Sequence, residues 1–285
     1  MKVIRGRKAL VTGAASGIGR GIALALAREG ADVYLWDVNE EGLNTVANEI
    51  RSLGVRAEID RVDLTDSSQI SAAIERFRNR FETLEILVNN AGVAYYGPTH
   101  KMTAEQWDWL LNINLLAPIQ ITREFLPTLL SHPEAHILNI CSLSGLVAAG
   151  RFAAYHTSKF GLVGFSEAIR AEYGRRGLGV TALCPGPVMT NLYRECATGD
   201  ESKRAPLPPR WLCTTVDAVA ARSIKAIRRN HRLPLVGTMA HLLWNAKWLA
   251  PGLLDFLNHF HRKKRTASPT IGQAEAPANQ SRKAA

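Results

Sequence analysis

Short apolar runs and helix-patterned stretches take turns along most of this 285-residue chain, and nothing else in it limits the possible folds as much. KALVTG (8–13), ADVYLWD (31–37), VRAEIDRVD (55–63), LEILVNN (84–90), HILNICS (136–142) and LGVTALCPG (178–186) read as strands. Stretches 18–28, 40–53, 66–81, 103–130, 152–174 and 215–230 carry apolar residues at helical spacing. Pro118 and Pro127 mark bends or boundaries in the fourth of these. RLPLVG (232–237) is an edge strand at best, because Pro234 has no N–H to give a ladder. Strands alternating with helices favour an α/β fold, a mostly parallel sheet with helices on both faces. Strands buried on both faces should be continuously apolar, as ILVNN and TALC nearly are.

The first strand runs into Thr12-Gly13-Ala14-Ala15-Ser16-Gly17-Ile18-Gly19, and the first helix follows. Glycines there let the backbone turn sharply and approach a phosphate, while the helix start offers unpaired N–H groups. The spacing G-x-x-x-G-x-G differs from the commoner GxGxxG, but its place between strand and helix fits a dinucleotide pyrophosphate. Asp37 ends the second strand, where an acid can bond the adenosine ribose hydroxyls and repel a 2′-phosphate. No Arg or Lys follows at once and the loop carries Ser16, so NAD is favoured over NADP. The plainer alternative makes Asp37 a cap for a helix starting near Asn39.

Tyr155 and Lys159 stand four residues apart in YHTSK, on one helix face. A tyrosine with a pKa of about 10 exchanges protons poorly near neutrality. A lysine charge beside it favours the phenolate and lowers that value. His156 turns away from this face.

TGAASGIG (12–19), Asp63 in VDLTD, NNAG (89–92), Asn114 in INL, Ser142 in NICSLSG, YHTSK (155–159) and PGPVMT (185–190) occur together and in order. In these motifs, spread over residues 5–240, the chain resembles the single-domain short-chain dehydrogenase/reductase family. The resemblance implies a doubly wound Rossmann-type domain and an NAD(P)-dependent oxidoreductase that interconverts an alcohol and a carbonyl. It implies Tyr155 as acid/base, Lys159 as its tuner and ribose ligand, Ser142 as the group that bonds the substrate oxygen, and Asn114 as a proton relay. By the same resemblance Gly13, Ser16, Gly17, Ile18 and Gly19 hold the phosphates and Asp37 the ribose. Asp63 and Asn90 then lie on the adenosine side, and Val188 and Thr190 hold the carboxamide. Cys141 replaces a commonly seen serine. A homodimer or homotetramer is implied as well. An NADP-dependent ketoacyl reductase and a non-catalytic NAD(H)-binding redox sensor are the rival readings.

The four cysteines show no CxxC pair and the eight histidines no HExxH spacing, so no metal site is expected. The N-terminus has no apolar h-region, and a cytoplasmic protein is expected. Residues 187–214, rich in Pro and charge, read as a long mobile loop, and 266–285 as disordered. The domains are therefore 1–238, catalytic and NAD-binding, and 239–265, amphipathic and basic, followed by the tail 266–285. The whole net charge of +10 falls in residues 222–285, where 12 Lys and Arg face only Asp255 and Glu275.

In 239–265, Met239, Leu242, Leu243, Ala246 and Leu249 form one helical stripe; Leu253, Leu254, Leu257 and Phe260 repeat it before HRKKR (261–265). Lys247, Asp255 and the Pro251-Gly252 break make it too polar for a membrane span. It reads as an interfacial anchor on an anionic membrane, or as a hydrophobic lid on the active site or a subunit interface. Both point to a lipophilic substrate such as a long-chain alcohol, steroid or retinoid. Nucleic acid is not expected as a partner, since no nucleic-acid fold accompanies the charge.

Overall fold

A computed structural model describes residues 1–194, 196–199, 205–250 and 252. The chain forms β1 (Lys8–Thr12), α1 (Gly17–Arg28), β2 (Asp32–Asp37), α2 (Glu40–Ser52), β3 (Ala57–Arg61) and α3 (Ser67–Phe81). Then come β4 (Ile86–Asn89), β5 (Tyr95–Tyr96), α4 (Ala104–Leu111), α5 (Ala117–Leu130), β6 (Ala135–Ile140) and α6 (Ala153–Tyr173). The remainder holds β7 (Leu178–Pro185), α7 (Asn191–Arg194), β8 (Ala197–Thr198), α8 (Val216–Arg229), β9 (Leu235–Val236) and α9 (Thr238–Leu249).

Seven strands make one sheet in the order β3-β2-β1-β4-β6-β7-β9. Every pairing in it is parallel. Side chains along each strand alternate between two cores. Ala9 and Val11, Val33 and Leu35, Ile86 and Val88 face the core that includes Ile22, Leu43 and Val219. Leu10, Tyr34, Trp36 and Leu87 face the core that includes Phe77, Ile121 and Phe125. That two-fold period feeding helices on both faces is what makes the layers stack. Asp66, Thr103 and Thr215 cap α3, α4 and α8 through their side chains, each such cap being worth about 1 kcal/mol.

The strand order reverses between β1 and β4. The chain runs outward through β2 and β3, then returns to the other side of β1. Loops leaving β1 and β4 diverge at that point and open a crevice beyond the strand ends. Beneath it lies a buried polar chain. Asn89 Nδ2 donates to Asn139 Oδ1 (2.8 Å) and Thr122 Oγ1 (3.2 Å), and Asn139 Nδ2 donates to Ser166 Oγ (2.8 Å). It ties α5, β4, β6 and α6 together one step below the crevice.

Several expectations are refined. Residues 103–130 are helical, but a π turn (Asn112–Leu116) separates α4 from α5. Pro118 sits at the start of α5, where its missing N–H costs nothing, and Pro127 lies inside α5, which continues to Leu130. The 187–214 stretch holds α7, β8, which pairs with β5, and a bridge from Val188 to Thr214. These short pairings anchor parts of the expected loop, while residues 205–209 stay irregular. β9 is an edge strand, as Pro234 requires.

The predicted stripe on α9 is split. Ala240, Leu243 and Trp244 pack against the core of α6 and β7, while Leu242, Trp248 and Leu249 are 63%, 69% and 86% exposed. The helix is apolar on more than one side, so spacing alone could not choose the packed face. The second stripe, HRKKR and the 266–285 tail lie outside the described residues. Among the described residues, no helix is long and apolar enough to cross a membrane, and no group of three or more His, Cys, Asp or Glu could hold a metal.

His136, in β6, is fully buried. Its Nε2 lies 3.0 Å from Thr181 Oγ1, whose hydroxyl is donated to His231 O. Nε2 therefore carries the proton, and Nδ1 has no partner. Burial, followed by the charges of the N-terminus and Arg170, pushes its pKa down to about 3. Neutral His136 is thus compatible with the fold, and the unfolded chain takes up a proton near pH 6.5. Its contribution is complete above pH 6.5 and is lost as pH falls toward 3. Urea unfolding from pH 7 to 3 should show a loss approaching a few kcal/mol from this residue. His136→Leu should flatten that part of the slope; an unchanged slope would remove His136 as its source.

Candidate active site

The turn from β1 into α1 is built against the end of β4. Gly13 has φ +64°, and a Cβ there would stand 2.8 Å from Ala91 Cα. At Gly19 a Cβ would stand 2.0 Å from Gly13 O and 2.4 Å from Asn90 Nδ2. Neither site admits a side chain. Asn90 Nδ2 donates to Thr12 O (2.9 Å) and Gly13 O (3.1 Å). Thr12 Oγ1 accepts from Asn90 N (3.0 Å) and Ala91 N (3.1 Å). The two strand ends are thereby locked, and the backbone of the loop stays bare on its outer side. Ser16 precedes α1 without a side-chain cap bond, which leaves the first-turn amides open to an anion.

Asp37 closes one flank. Its Oδ2 accepts from Ala15 N (3.0 Å) and its Oδ1 from Asn39 N (3.0 Å). It braces the loop, while Asn39 itself caps α2 by accepting from Gly42 N. Asp63 Oδ1 accepts from both N and Oγ1 of Thr65 (2.9 and 2.8 Å).

α6 brings Tyr155 and Lys159 one turn apart. Lys159 is 4% exposed, and its Nζ donates to Ile140 O at 2.9 Å. Nζ lies 5.8 Å from the centre of the Tyr155 ring. Burial lowers the Lys159 pKa, partly offset by the thiols of Cys141 and Cys184. Cys141, one residue beyond β6, is 3% exposed and packs in the core with Leu162 and Cys184.

Ser142 follows β6 and begins a single 3₁₀ turn (Leu143–Gly145). Its Oγ accepts from Ser144 N (3.0 Å), so its hydroxyl hydrogen is available for another acceptor. Asn114 lies in the π turn and is fully buried. Its amide pairs both ways with Val93, Oδ1 accepting from N and Nδ2 donating to O, each at 2.8 Å. Nδ2 also donates to Ser158 Oγ (3.2 Å), which donates to Tyr155 O (2.8 Å). A Cβ on Gly92 would stand 3.4 Å from Asn114 Oδ1 and 3.6 Å from Lys159 Nζ, so this glycine leaves the space between the two open.

One cleft of about 320 Å³ is lined by Gly13, Ser16, Gly17, Ile18, Asp37, Asp63, Asn90, Ser142, Tyr155, Lys159, Val188 and Thr190. Gly19 and Asn114 stand behind its wall. Two contributors escaped the sequence reading. Thr12 and Ser158 act through hydrogen bonds to backbone, and only their neighbours in the motifs hinted at them. Trp36, Val62 and Leu64 add an apolar wall around Asp37 and Asp63; the sequence reading had not singled them out. A dinucleotide fits this donor set: a glycine-rich phosphate cradle, an acid at each of two strand ends, and a Tyr-Lys pair in the same cleft.

A family model for short chain dehydrogenases matches residues 7–201. The oxidoreductase UcpA of Salmonella typhimurium is 34% identical over 198 residues, covering 69% of this chain and 75% of that one. A short-chain dehydrogenase/reductase from Burkholderia phymatum, solved in complex with NAD, superposes with a TM-score of 0.77 at 25% identity, over 90% of this chain and 97% of its own. A short-chain dehydrogenase from Sphingobium yanoikuyae, solved in complex with NADPH, superposes with a TM-score of 0.74 at 25% identity, over 92% and 98%. With its cleft, its motifs and these relatives in agreement, the chain belongs to the short-chain dehydrogenase/reductase family of oxidoreductases.

Proposed function

We propose that this oxidoreductase is an NAD-dependent alcohol dehydrogenase or carbonyl reductase that acts on lipophilic substrates. The convergence of Ser142, Tyr155 and Lys159 in the same cleft as the glycine loop carries the catalytic part of this reading. A protein that only sensed the cofactor would need the cradle but no tyrosine base. When bound, a nicotinamide cofactor supplies the hydride acceptor or donor. In oxidation, the Tyr155 phenolate oxygen takes the hydroxyl proton of the alcohol. The carbinol carbon loses its hydrogen with the bonding electron pair, and the C–O bond becomes a carbonyl. Ser142 donates its free hydroxyl hydrogen to the substrate oxygen and steadies its charge. Lys159 favours the phenolate. Asn114, at the gap left by Gly92, would hold a water that relays protons from Lys159 to solvent.

Asp37 supports NAD. A 2′-phosphate would meet a carboxylate there. Arg61 is the observation favouring NADP, since it pairs with Asp37 in the β2–β3 register. Its Nε is, however, engaged with Val38 O at 3.2 Å. Val93, Ala94, Val188 and Leu192 add apolar lining to the cleft that holds Ser142 and Tyr155, which supports a lipophilic substrate. A homodimer or homotetramer remains our reading of the family resemblance, and the cytoplasm is the location we propose for it.

Two arms of one experiment test this. NADH formation is followed at 340 nm with secondary and primary alcohols of increasing chain length. Turnover should rise with apolar size and disappear in Tyr155→Phe; activity on hydrophilic polyols alone would contradict the substrate class. NADH should bind more tightly than NADPH, and Asp37→Ala should narrow or invert the difference. A wild-type preference for NADPH would overturn the cofactor assignment.

We also propose that the C-terminal region rests on an anionic membrane surface. Leu242, Trp248 and Leu249 are the exposed apolar face of α9, and the basic excess of residues 222–285 is concentrated in the same quarter of the chain. The protein should sediment with phosphatidylglycerol vesicles and not with phosphatidylcholine vesicles, and Trp248→Glu should weaken that binding. Equal recovery with neither vesicle would remove the membrane reading.

A further inference from the structure

His156 follows Tyr155 in the chain but faces away from the cleft, and the mechanism makes no use of it. Both of its ring nitrogens are nonetheless engaged. Nδ1 lies 2.8 Å from Ser144 O, and Nε2 accepts from Ala149 N at 2.9 Å. A carbonyl cannot donate and an amide N–H cannot accept, so the tautomer is fixed: the proton is on Nδ1, and Nε2 is bare. Burial lowers the His156 pKa, in keeping with a ring held neutral.

The two backbone groups it grips bracket the segment that follows Ser142. Ser144 is gripped from both sides: its N–H is donated to Ser142 Oγ (3.0 Å), and its C=O receives His156 Nδ1–H (2.8 Å). An unbroken path of two hydrogen bonds and the backbone of one residue, Ser144, therefore joins the Ser142 hydroxyl to the residue next to Tyr155. The same segment is pressed onto α6 at Gly145, where a Cβ would stand 2.6 Å from Lys159 O. From the outside, Lys247 of α9 donates Nζ to Leu146 O at 2.5 Å.

We propose that His156 is a positioning residue that fixes the separation of Ser142 and Tyr155 by pinning residues 144–149 to the catalytic helix. Ser142 and Tyr155 come from different elements, the end of β6 and the first turn of α6. A substrate oxygen has to meet both at hydrogen-bond distance, and misplacement by about 1 Å is enough to cost on the order of 10²-fold in rate. The histidine touches neither substrate nor cofactor. It acts by denying the 144–149 segment any other place to go. The glycine loop, Asp37 and Asp63 lie on other elements, so most of the cofactor site does not depend on this pin; only Lys159 shares its helix.

The inference rests on the catalytic roles proposed for Ser142 and Tyr155, and the experiment separates the two. His156→Leu and His156→Gln are compared with wild type. Glutamine can offer one N–H and one oxygen, so it can keep both bonds; leucine keeps neither. Amide exchange of the 143–152 peptide is measured by mass spectrometry, NADH dissociation by fluorescence, and turnover with the fastest alcohol of the chain-length series. His156→Leu should expose the Ala149 amide to faster exchange and lower kcat by roughly 10- to 100-fold, with NADH affinity unchanged. His156→Gln should restore protection and most of kcat. Wild-type exchange or wild-type kcat in a folded His156→Leu protein would overturn the proposal. So would a His156→Gln protein no better than leucine, or a loss of NADH affinity equal to the loss of kcat. If the wild type oxidises no alcohol, the catalytic reading fails, and the exchange arm still judges the pin.

Discussion

A lysine ammonium buried at the end of a parallel strand is the interaction around which this site is organised. Taking such a charge out of water is expensive unless the protein returns strong partners. Lys159 Nζ receives one from Ile140 O, the last carbonyl of β6. That bond fastens α6 to β6 at the level of the cleft, and it places the charge 5.8 Å from the Tyr155 ring. A less buried lysine would be screened by solvent and would act more weakly on its neighbour. Burial also lowers the lysine's own pKa, so the site trades some of the cation's stability for a stronger field.

Everything beneath that charge serves to keep it there. The two-core alternation of the strands fixes which carbonyls reach the top of the sheet. The buried Asn89–Asn139–Ser166 chain joins β4, β6 and α6 one layer down. The Asn90 amide holds the glycine loop onto β4, and the Asn114 amide holds the 93 backbone onto the π turn. Asn90 and Asn114 complete backbone bonds that irregular geometry would otherwise leave open. The π turn has a further effect: it swings Asn114 inward from a helix whose regular winding would carry it elsewhere.

The sheet, the glycine loop and the order of the helices were legible because each depends on local patterning. β1 to β4, β6 and β7 come from apolar runs, and the loop from a glycine spacing in which Gly13 and Gly19 leave no room for a Cβ. Most of the site was legible for a different reason: its residues sit in motifs specific enough to name a family. Hydrogen bonds between distant backbones were not. Thr12 and Ser158 act through such bonds, and nothing in their local spacing marks them. Which side of α9 packs inward could not be read, because Leu242 and Leu249 have the same helical spacing as residues that are buried. The pairing of β5 with β8 was invisible, since each is two residues long and their partnership is purely tertiary.

The measurement that bears most directly on the buried lysine is the pH dependence of kcat/KM for alcohol oxidation, in wild type and in Lys159→Met. If the Lys159 charge favours the Tyr155 phenolate, the rising limb of the profile must move to higher pH when that charge is removed. A rising limb at the same pH in both proteins would contradict the account, whatever the loss in absolute rate.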